Sequence, residues 1–436
     1  MDFSRSNELK ARLNELIPGG GHTYAKAPDQ FPELSPGVIS HGKGSHVWDA
    51  DGNEFIEYGM GLRAVGLGHA YPEVVDAVRA SLELGTNFTR PAAIELECAE
   101  RLVSIVPGVD MVKFTKDGST ATSAALKLAR AATGRDMVAV CREHVFFSYD
   151  DWFISTTSMD GGIPAATATL TTSFSYNDLD SARAMFAQFP DEIAAVFLEP
   201  ARTEKPMPGF LEGLRTLCTE YGTVLVFDEM ITGFRYAFRG AQSLYGVQPD
   251  LSTWGKSLAN GFSVSALCGT RDLMRLGSRE REQDSVFLLS TTHGAEVCSL
   301  AAAIATMQVY EREPVVEHLY RQGERLIAGI AEVTSRHGLS AYVKPVGFAC
   351  NLLFSTLDRD HRPSQAMRSL FLQETIQRGV LAPSLVVSYS HNDDDIDRTI
   401  EAIDGALPMY AKALEDGPEH FLVGSSSRVV LARRFL

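Results

Sequence analysis

Cysteine is sparse in this chain of 436 residues: Cys98, Cys141, Cys218, Cys268, Cys298 and Cys350 stand singly. With no CxxC pair there is neither a zinc knuckle nor a disulfide framework, and reduced, mostly buried thiols in a cytoplasmic protein are expected. Long apolar runs are also missing. No stretch reaches the roughly 18–20 apolar residues that cross a bilayer, so no membrane partner is expected. The start, Met1 to Pro18, spaces Phe3, Leu9, Leu13, Leu16 and Ile17 among charges, which predicts an amphipathic helix and not a signal peptide. Positive charge is in deficit, with 40 Lys and Arg against 55 Asp and Glu and a formal net charge of −15. Nucleic acid is therefore not an expected partner, because that affinity comes from neutralising phosphates with a basic patch. Any anionic ligand must be held by a local site. Repeats, low-complexity tracts and long linkers are absent too.

What is present is ordinary globular composition, 45% hydrophobic and 22% charged, at a length that suits two or three domains. Short apolar runs at Met111–Thr115, Met137–Cys141, Ala194–Leu198, Thr223–Phe227 and Phe262–Cys268 read as strands. Between several of them lie helical patterns, Ala121–Ala132 and Leu211–Tyr221 among them. Strands that are apolar throughout suit a sheet covered on both faces. The expectation is an α/β fold whose large domain, residues 59–312, holds a mostly parallel sheet flanked by helices. Before it, His46–Trp48, Asp51-Gly52-Asn53 and Phe55–Tyr58 read as strand, turn, strand. After Pro314 a helix over Val316–His337 and strands near Ala341–Val346 and Phe348–Phe354 are expected. Residues 1–58 and 313–436 would together build a smaller α+β domain.

Three strings imitate known motifs. Gly59-Met-Gly61-Leu-Arg-Ala64 follows a strand in G-x-G-x-x-A spacing, but no helix pattern opens after it, so a dinucleotide site is not expected. Gly255-Lys256-Ser257 resembles the end of a P-loop, yet Asp250 stands where the earlier glycine is required. Asp393-Asp394-Asp395-Ile396-Asp397 lacks the glycine of a calcium loop and reads as acids at a helix N-terminus.

Four other elements fit one chemistry. The apolar strand Thr223–Phe227 runs into Asp228, which puts a carboxylate at the carboxyl end of a parallel sheet, where open α/β folds bind ligands. Lys256 sits in a glycine-flanked turn between two strands. Lys116-Asp117-Gly118-Ser119-Thr120 lies between a strand and an alanine-rich helix, the setting for phosphate at a helix N-terminus. Phe146-Phe147 offers an aromatic face after the strand ending at Cys141. Lysine, carboxylate, phosphate turn and aromatic platform are the parts that pyridoxal 5′-phosphate requires.

With Ile17-Pro-Gly-Gly20, Trp48–Tyr58, Gly68-His69-Ala-Tyr-Pro72, Glu199-Pro200, Phe227–Arg235, Trp254-Gly-Lys-Ser257 and Ala382-Pro-Ser384, the chain resembles the class III, fold-type-I pyridoxal-phosphate aminotransferases over nearly its whole length. Within them it is similar to the glutamate-1-semialdehyde aminomutase branch. That resemblance implies the fold-type-I architecture, with a seven-stranded type of sheet. It implies a Schiff-base lysine at Lys256 and a ring-nitrogen partner at Asp228. It further implies phosphate ligands at Gly118 and Ser119, a ring cover at Phe146 and an active-site carboxylate at Glu199. Thr291 would reach the phosphate of a neighbouring subunit, which implies a homodimer with shared sites.

The chain departs from the aminomutase pattern around the substrate. Gly21-His-Thr-Tyr24-Ala-Lys26 replaces a stretch whose arginine is expected to clasp a carboxylate, and a lysine lacks the bidentate fork. Phe146-Phe147-Ser148 replaces Tyr-His-Gly, Thr120 replaces an acid, and Leu62 stands where an aromatic is usual. Tyr24, Lys26 and Arg63 become candidates for binding a hydroxylated substrate. The expected reaction is amine transfer from a small-molecule donor, glutamate or glutamine, to an aldehyde or ketone such as an oxidised sugar or aminoglycoside intermediate of antibiotic biosynthesis. The alternative is the 2,1-aminomutase isomerisation itself.

Overall fold

The computed structural model describes residues 1–278 and 286–429, so the end of the C-terminal segment, 430–436, lies outside the described residues. The described chain divides into two compact units, one built from Met1–Tyr71 and the residues from Glu317 on, the other from Pro72–Val316.

The first unit is stitched from both ends of the sequence. Strands β1 (Ile39–Lys43), β2 (His46–Asp49) and β3 (Glu54–Glu57) form an antiparallel meander. The Asp-Gly-Asn turn works through Asp49, whose carboxylate accepts the N–H groups of Asp51 and Asn53. Of the later strands, β11 (Val343–Phe348) and β12 (Asn351–Thr356) form a hairpin, while β13 (Val380–Leu381) pairs in parallel with β3, Val380 opposite Ile56. Phe3, Val47, Phe55, Leu372, Ile376 and Leu381 share one core, so residues more than 300 positions apart shield each other from water. The amphipathic start forms the helix Ser4–Leu16, and Leu16 remains exposed. At Gly59 the dinucleotide look-alike becomes a left-handed turn instead of a helix start. Met60, Gly61, Leu62 and Arg63 all have positive φ, and both oxygens of Glu57 accept the Met60 N–H. The acidic string caps the helix Asp393–Asp416: Asn392 accepts the Asp395 N–H, and Arg325 pairs with Asp393 and Asp397.

The second unit carries the seven-stranded sheet: β4 (Met111–Thr115), β5 (Met137–Cys141), β6 (Thr171–Phe174), β7 (Ile193–Leu198), β8 (Val224–Asp228), β9 (Leu251–Trp254) and β10 (Ser265–Gly269), in the order β4-β10-β9-β8-β7-β5-β6. Only β10 runs antiparallel to its neighbours. Every residue of β5, β7, β8, β9 and β10 is buried, as apolar strands between two helical layers require. Three strands of this sheet differ in their bounds from the sequence reading, and the smallest difference is at β7, which starts one residue earlier, at Ile193. The Thr223 N–H closes the preceding helix onto the Cys218 carbonyl, which moves β8 on by one residue and makes Asp228 its last member. Phe262 and Val264 belong to a turn, bonding Ala259 and Phe262 through their N–H groups, so β10 begins only at Ser265.

Candidate active site

The topology brings the sequence candidates of this unit to one edge. Because β10 is antiparallel on both sides, β4 runs in the same direction as β9, β8, β7 and β5, and their carboxyl ends lie along a common rim. The phosphate turn follows β4, Lys256 follows β9, Asp228 ends β8, Glu199 follows β7 and Phe146 lies beyond β5. Register fixes the centre: Leu198 lies opposite Phe227, and Asp228 opposite Thr253.

Asp228 is 4% exposed. Burial pushes its carboxyl up to about 7, with Lys256 pulling it down and Glu199 pushing it up further. The Met230 N–H (2.9 Å) and the Thr253 hydroxyl (3.2 Å) both donate to Oδ1. Both bonds fall on the same oxygen, and a buried carboxylate with so few donors gains most from a cationic N–H. Its neighbour Glu229 is equally buried and also raised to about 7 by burial, but it is spent internally. It accepts the Thr232 hydroxyl and the N–H groups of Ala241 (2.8 Å) and Gln242 (2.7 Å), which caps the helix Ala241–Tyr245.

Lys256 opens a single helical turn, Lys256–Ala259, at φ +46°, a conformation that side-chain-bearing residues seldom adopt. The preceding Gly255 has no room for a side chain, since a Cβ there would lie 2.4 Å from Ser265 Oγ and 2.6 Å from Met230 Sδ. The same sulfur lies 3.0 Å from where a Cβ of Gly118 would be. Met230 thus wedges between the lysine turn and the phosphate turn while its N–H holds Asp228.

The helix Gly118–Thr133 starts on Asp117, whose side chain accepts the Thr120 N–H at 2.8 Å. The N–H groups of Gly118 and Ser119 in this first turn have no intrahelical partner and face the helix N-terminus, suited to a phosphate. Ser119 is buried and accepts the Tyr149 N–H at 3.1 Å, leaving its own hydroxyl proton to donate. The aromatic segment is stapled to the same helix: Thr122 donates to the Phe147 carbonyl (2.9 Å), and Ser123 bonds both Asp150 and the Trp152 indole. The two phenylalanines separate here. Phe147 belongs to the core, whereas Phe146 is 46% exposed and meets Phe153 edge-on at 5.9 Å. Only Phe146 presents a free face.

Glu199 is buried, and its loop is fixed by three rings. Its N–H donates to His144 Nδ1 (3.0 Å), the Tyr176 hydroxyl donates to the Pro200 carbonyl (2.9 Å), and the Tyr236 hydroxyl donates to the Arg202 carbonyl. Sequence reading missed His144, Tyr176, Tyr236 and Met230, because a lone ring or thioether carries no spacing signal. Thr291 is exposed in the turn after Ser290, next to Thr292, whose carbonyl accepts from Asn87 Nδ2 at 3.0 Å.

The three substrate candidates belong to the first unit. Tyr24 and Lys26 share one exposed turn, Tyr24–Lys26. Arg63 ends the left-handed stretch at φ +74°, and its Nε donates to Asn351 Oδ1 at 2.7 Å. Among the described residues no cluster of His, Cys, Asp and Glu could hold a metal ion, and no helix is long and apolar enough to cross a membrane.

Comparison with known proteins agrees with this chemistry. The family model for Aminotransferase class-III matches residues 32–407. The glutamate-1-semialdehyde 2,1-aminomutase of Desulfitobacterium hafniense (strain DSM 10664 / DCB-2) is 34% identical over 422 residues, 91% of this chain and 96% of that protein. The PLP internal aldimine form of the FumI protein of Sphingopyxis sp. MTA144 superposes with a TM-score of 0.87 at 30% identity, over 95% of this chain and 98% of that one. An omega-transaminase from Sphaerobacter thermophilus gives 0.84 at 26% identity, over 94% and 98%.

Proposed function

The chain belongs to the class-III aminotransferases, a pyridoxal-phosphate-dependent family, and from that premise we propose the roles of its residues and the reaction it runs. The observation that carries the proposal is the meeting of Lys256, Asp228 and the Gly118 turn on one rim of the large sheet. When bound, pyridoxal phosphate supplies an electron sink for charge that develops at the substrate carbon. Asp228 holds the ring nitrogen protonated through its second carboxylate oxygen. Lys256 would hold the cofactor covalently, and its Nζ amine would be the group that moves a proton at the substrate carbon. Gly118 and Ser119 bind the phosphate through N–H and hydroxyl groups, Phe146 covers one ring face, and Glu199 lines the pocket beside Asp228. Thr291 reaches the phosphate in a second copy of the chain, so the working form is a homodimer.

For the reaction, the named relative at 34% identity supports the 2,1-aminomutase ahead of transfer to an external acceptor. On this reading the amine of glutamate 1-semialdehyde moves from C2 to C1, giving 5-amino-4-oxopentanoate with no second amino acid consumed. A second reading, transamination of an external hydroxylated aldehyde or ketone, is favoured by Lys26, Leu62 and Phe146-Phe147-Ser148, which depart from the aminomutase pattern. In that reading Tyr24, Lys26 and Arg63 contact the acceptor. The test offers the loaded protein glutamate 1-semialdehyde alone, and separately an oxidised aminosugar with glutamate as donor. Product from the first without any donor supports the mutase. A higher kcat/KM for the aminosugar, with release of 2-oxoglutarate, supports the transaminase and overturns the mutase.

A further inference from the structure

Lys256 depends on a strained backbone angle, and such an angle persists only where the surroundings leave no alternative. The residue two positions earlier, Trp254, is fully buried and ends β9. Its indole N–H donates to Ser252 Oγ at 2.9 Å, which fixes the ring plane. One face of the loop after Asp228 is cut away to receive that ring. A Cβ on Gly233 would lie 2.4 Å from the indole, and one on Gly240 would lie 2.5 Å from it. Phe234, itself held at φ +61°, meets the indole edge-on at 5.9 Å.

We infer that Trp254 is a positioning residue: its indole, seated against Gly233 and Gly240, locks the loop that follows Asp228 to the strand that precedes Lys256, and so sets where Nζ stands. The spacing of the two motifs acquires a physical reason. The glycine of the Asp228–Arg235 string is the socket, and the tryptophan beside Gly255-Lys256 is the plug. A rigid two-ring wedge suits this role, because it has few rotamers and fills the gap just beyond the last backbone link between the two strands, the Glu229 N–H bond to the Thr253 carbonyl at 2.9 Å. The inference rests on the proposed role of Lys256.

The test compares Trp254→Phe, Trp254→Leu and Gly233→Ala in the holoenzyme, with Lys256→Ala as control. Three quantities are read: kcat against KM for the amino donor, the pH midpoint of the visible cofactor band, and the melting midpoint. Misplacing a reacting group by about 1 Å costs up to roughly a hundredfold in rate, so Trp254→Leu should lower kcat between roughly tenfold and a hundredfold. KM should stay unchanged and the pH midpoint of the band should move, with Trp254→Phe intermediate. Gly233→Ala pushes on the indole and should reproduce the same defect. Adding it to Trp254→Leu should then cost little more, because the bump has lost its target. If Trp254→Leu does not fold, Trp254→Phe combined with Gly233→Ala decides by the same non-additivity. Variants that shift only the melting midpoint, or whose kcat losses multiply, overturn the inference. An active Lys256→Ala would instead overturn the proposed role of the lysine.

Discussion

Two buried aspartates, one in each unit, show what separates a staple from a binding site. Asp395 in the first unit is 2% exposed, and Asp228 in the second is 4% exposed. Burial opposes charge on both. At Asp395 it is outweighed by His46 Nε2 (2.8 Å), the Ser45 hydroxyl (2.7 Å) and the Asn392 N–H (3.2 Å), which draw the carboxyl down to about 2. His46 also reaches Glu54 at 2.6 Å, so one ring ties the N-terminal hairpin to the C-terminal helix. At Asp228 burial wins and the carboxyl rises to about 7, because its two hydrogen bonds share one oxygen. A carboxylate satisfied from within the chain holds the fold together. One left short of donors suits a cation that arrives from outside, and in the proposed function the pyridinium of the cofactor is that cation.

The largest effect expected on the Asp228 side of this comparison comes from Lys256→Ala. Turnover should vanish while the cofactor stays bound through Gly118, Ser119 and Asp228, as visible absorbance after dialysis would report. A normal rate would break the account. Asp228→Asn should follow, with kcat down roughly a hundredfold or more, since a neutral amide cannot keep the ring nitrogen protonated and each ~1.4 kcal/mol is a factor of ten. A loss of only a few-fold would make Asp228 a second staple. Ser119→Ala removes one hydrogen bond to a charged phosphate, worth about 1.5–3 kcal/mol, and should weaken cofactor retention roughly tenfold to a hundredfold with kcat at saturation little changed. On the other side, Asp395→Asn should lower stability by about 1–3 kcal/mol in denaturant titration without altering cofactor affinity. His46 has a raised pKa, chiefly through Asp395, so its contribution is complete below its ordinary 6.5 and fades as pH rises through the raised value. Asp395 itself loses its contribution only as pH falls from its ordinary 3.8 toward about 2. A cofactor-binding defect in Asp395→Asn would erase the distinction.

The sheet was legible because strands covered on both faces must be apolar throughout, and Met137–Cys141 and Ala194–Leu198 carry no other message. That Lys256, Asp228 and the Gly118 turn lie along one rim was legible because each stands next to a strand end or a helix start. The resemblance, not the spacing, singled out Glu199 and Thr291. Other features are invisible in one dimension. Nothing in Asp228-Glu229 says that the second carboxylate turns inward to cap the helix at Ala241, since that depends on where residues 12 and 13 positions later return. Nor does Phe146-Phe147 say which ring enters the core. Arg63 reads equally as a substrate contact or a structural pair member, and only the fold shows its bond to Asn351, 288 positions away. Local departures such as Lys26 favour an external acceptor, whereas the relative at 34% identity favours the aminomutase.

The central claim is that Asp228 is a carboxyl waiting for a cation, and the pH dependence of cofactor stabilisation tests it directly. Between the ordinary 3.8 and about 7 the unfolded chain has lost the Asp228 proton and the folded, cofactor-free chain still holds it, so cofactor-free stability falls as pH rises across that window. Glu229 adds a similar fall with or without the cofactor, and cancels in the difference. The melting midpoint of the loaded protein minus that of the cofactor-free protein should therefore grow from about pH 4 to about pH 7 and level off above it in the unsubstituted chain, and this growth should be largely lost in Asp228→Asn. A difference that is flat with pH, or that grows equally in the asparagine variant, would contradict the account.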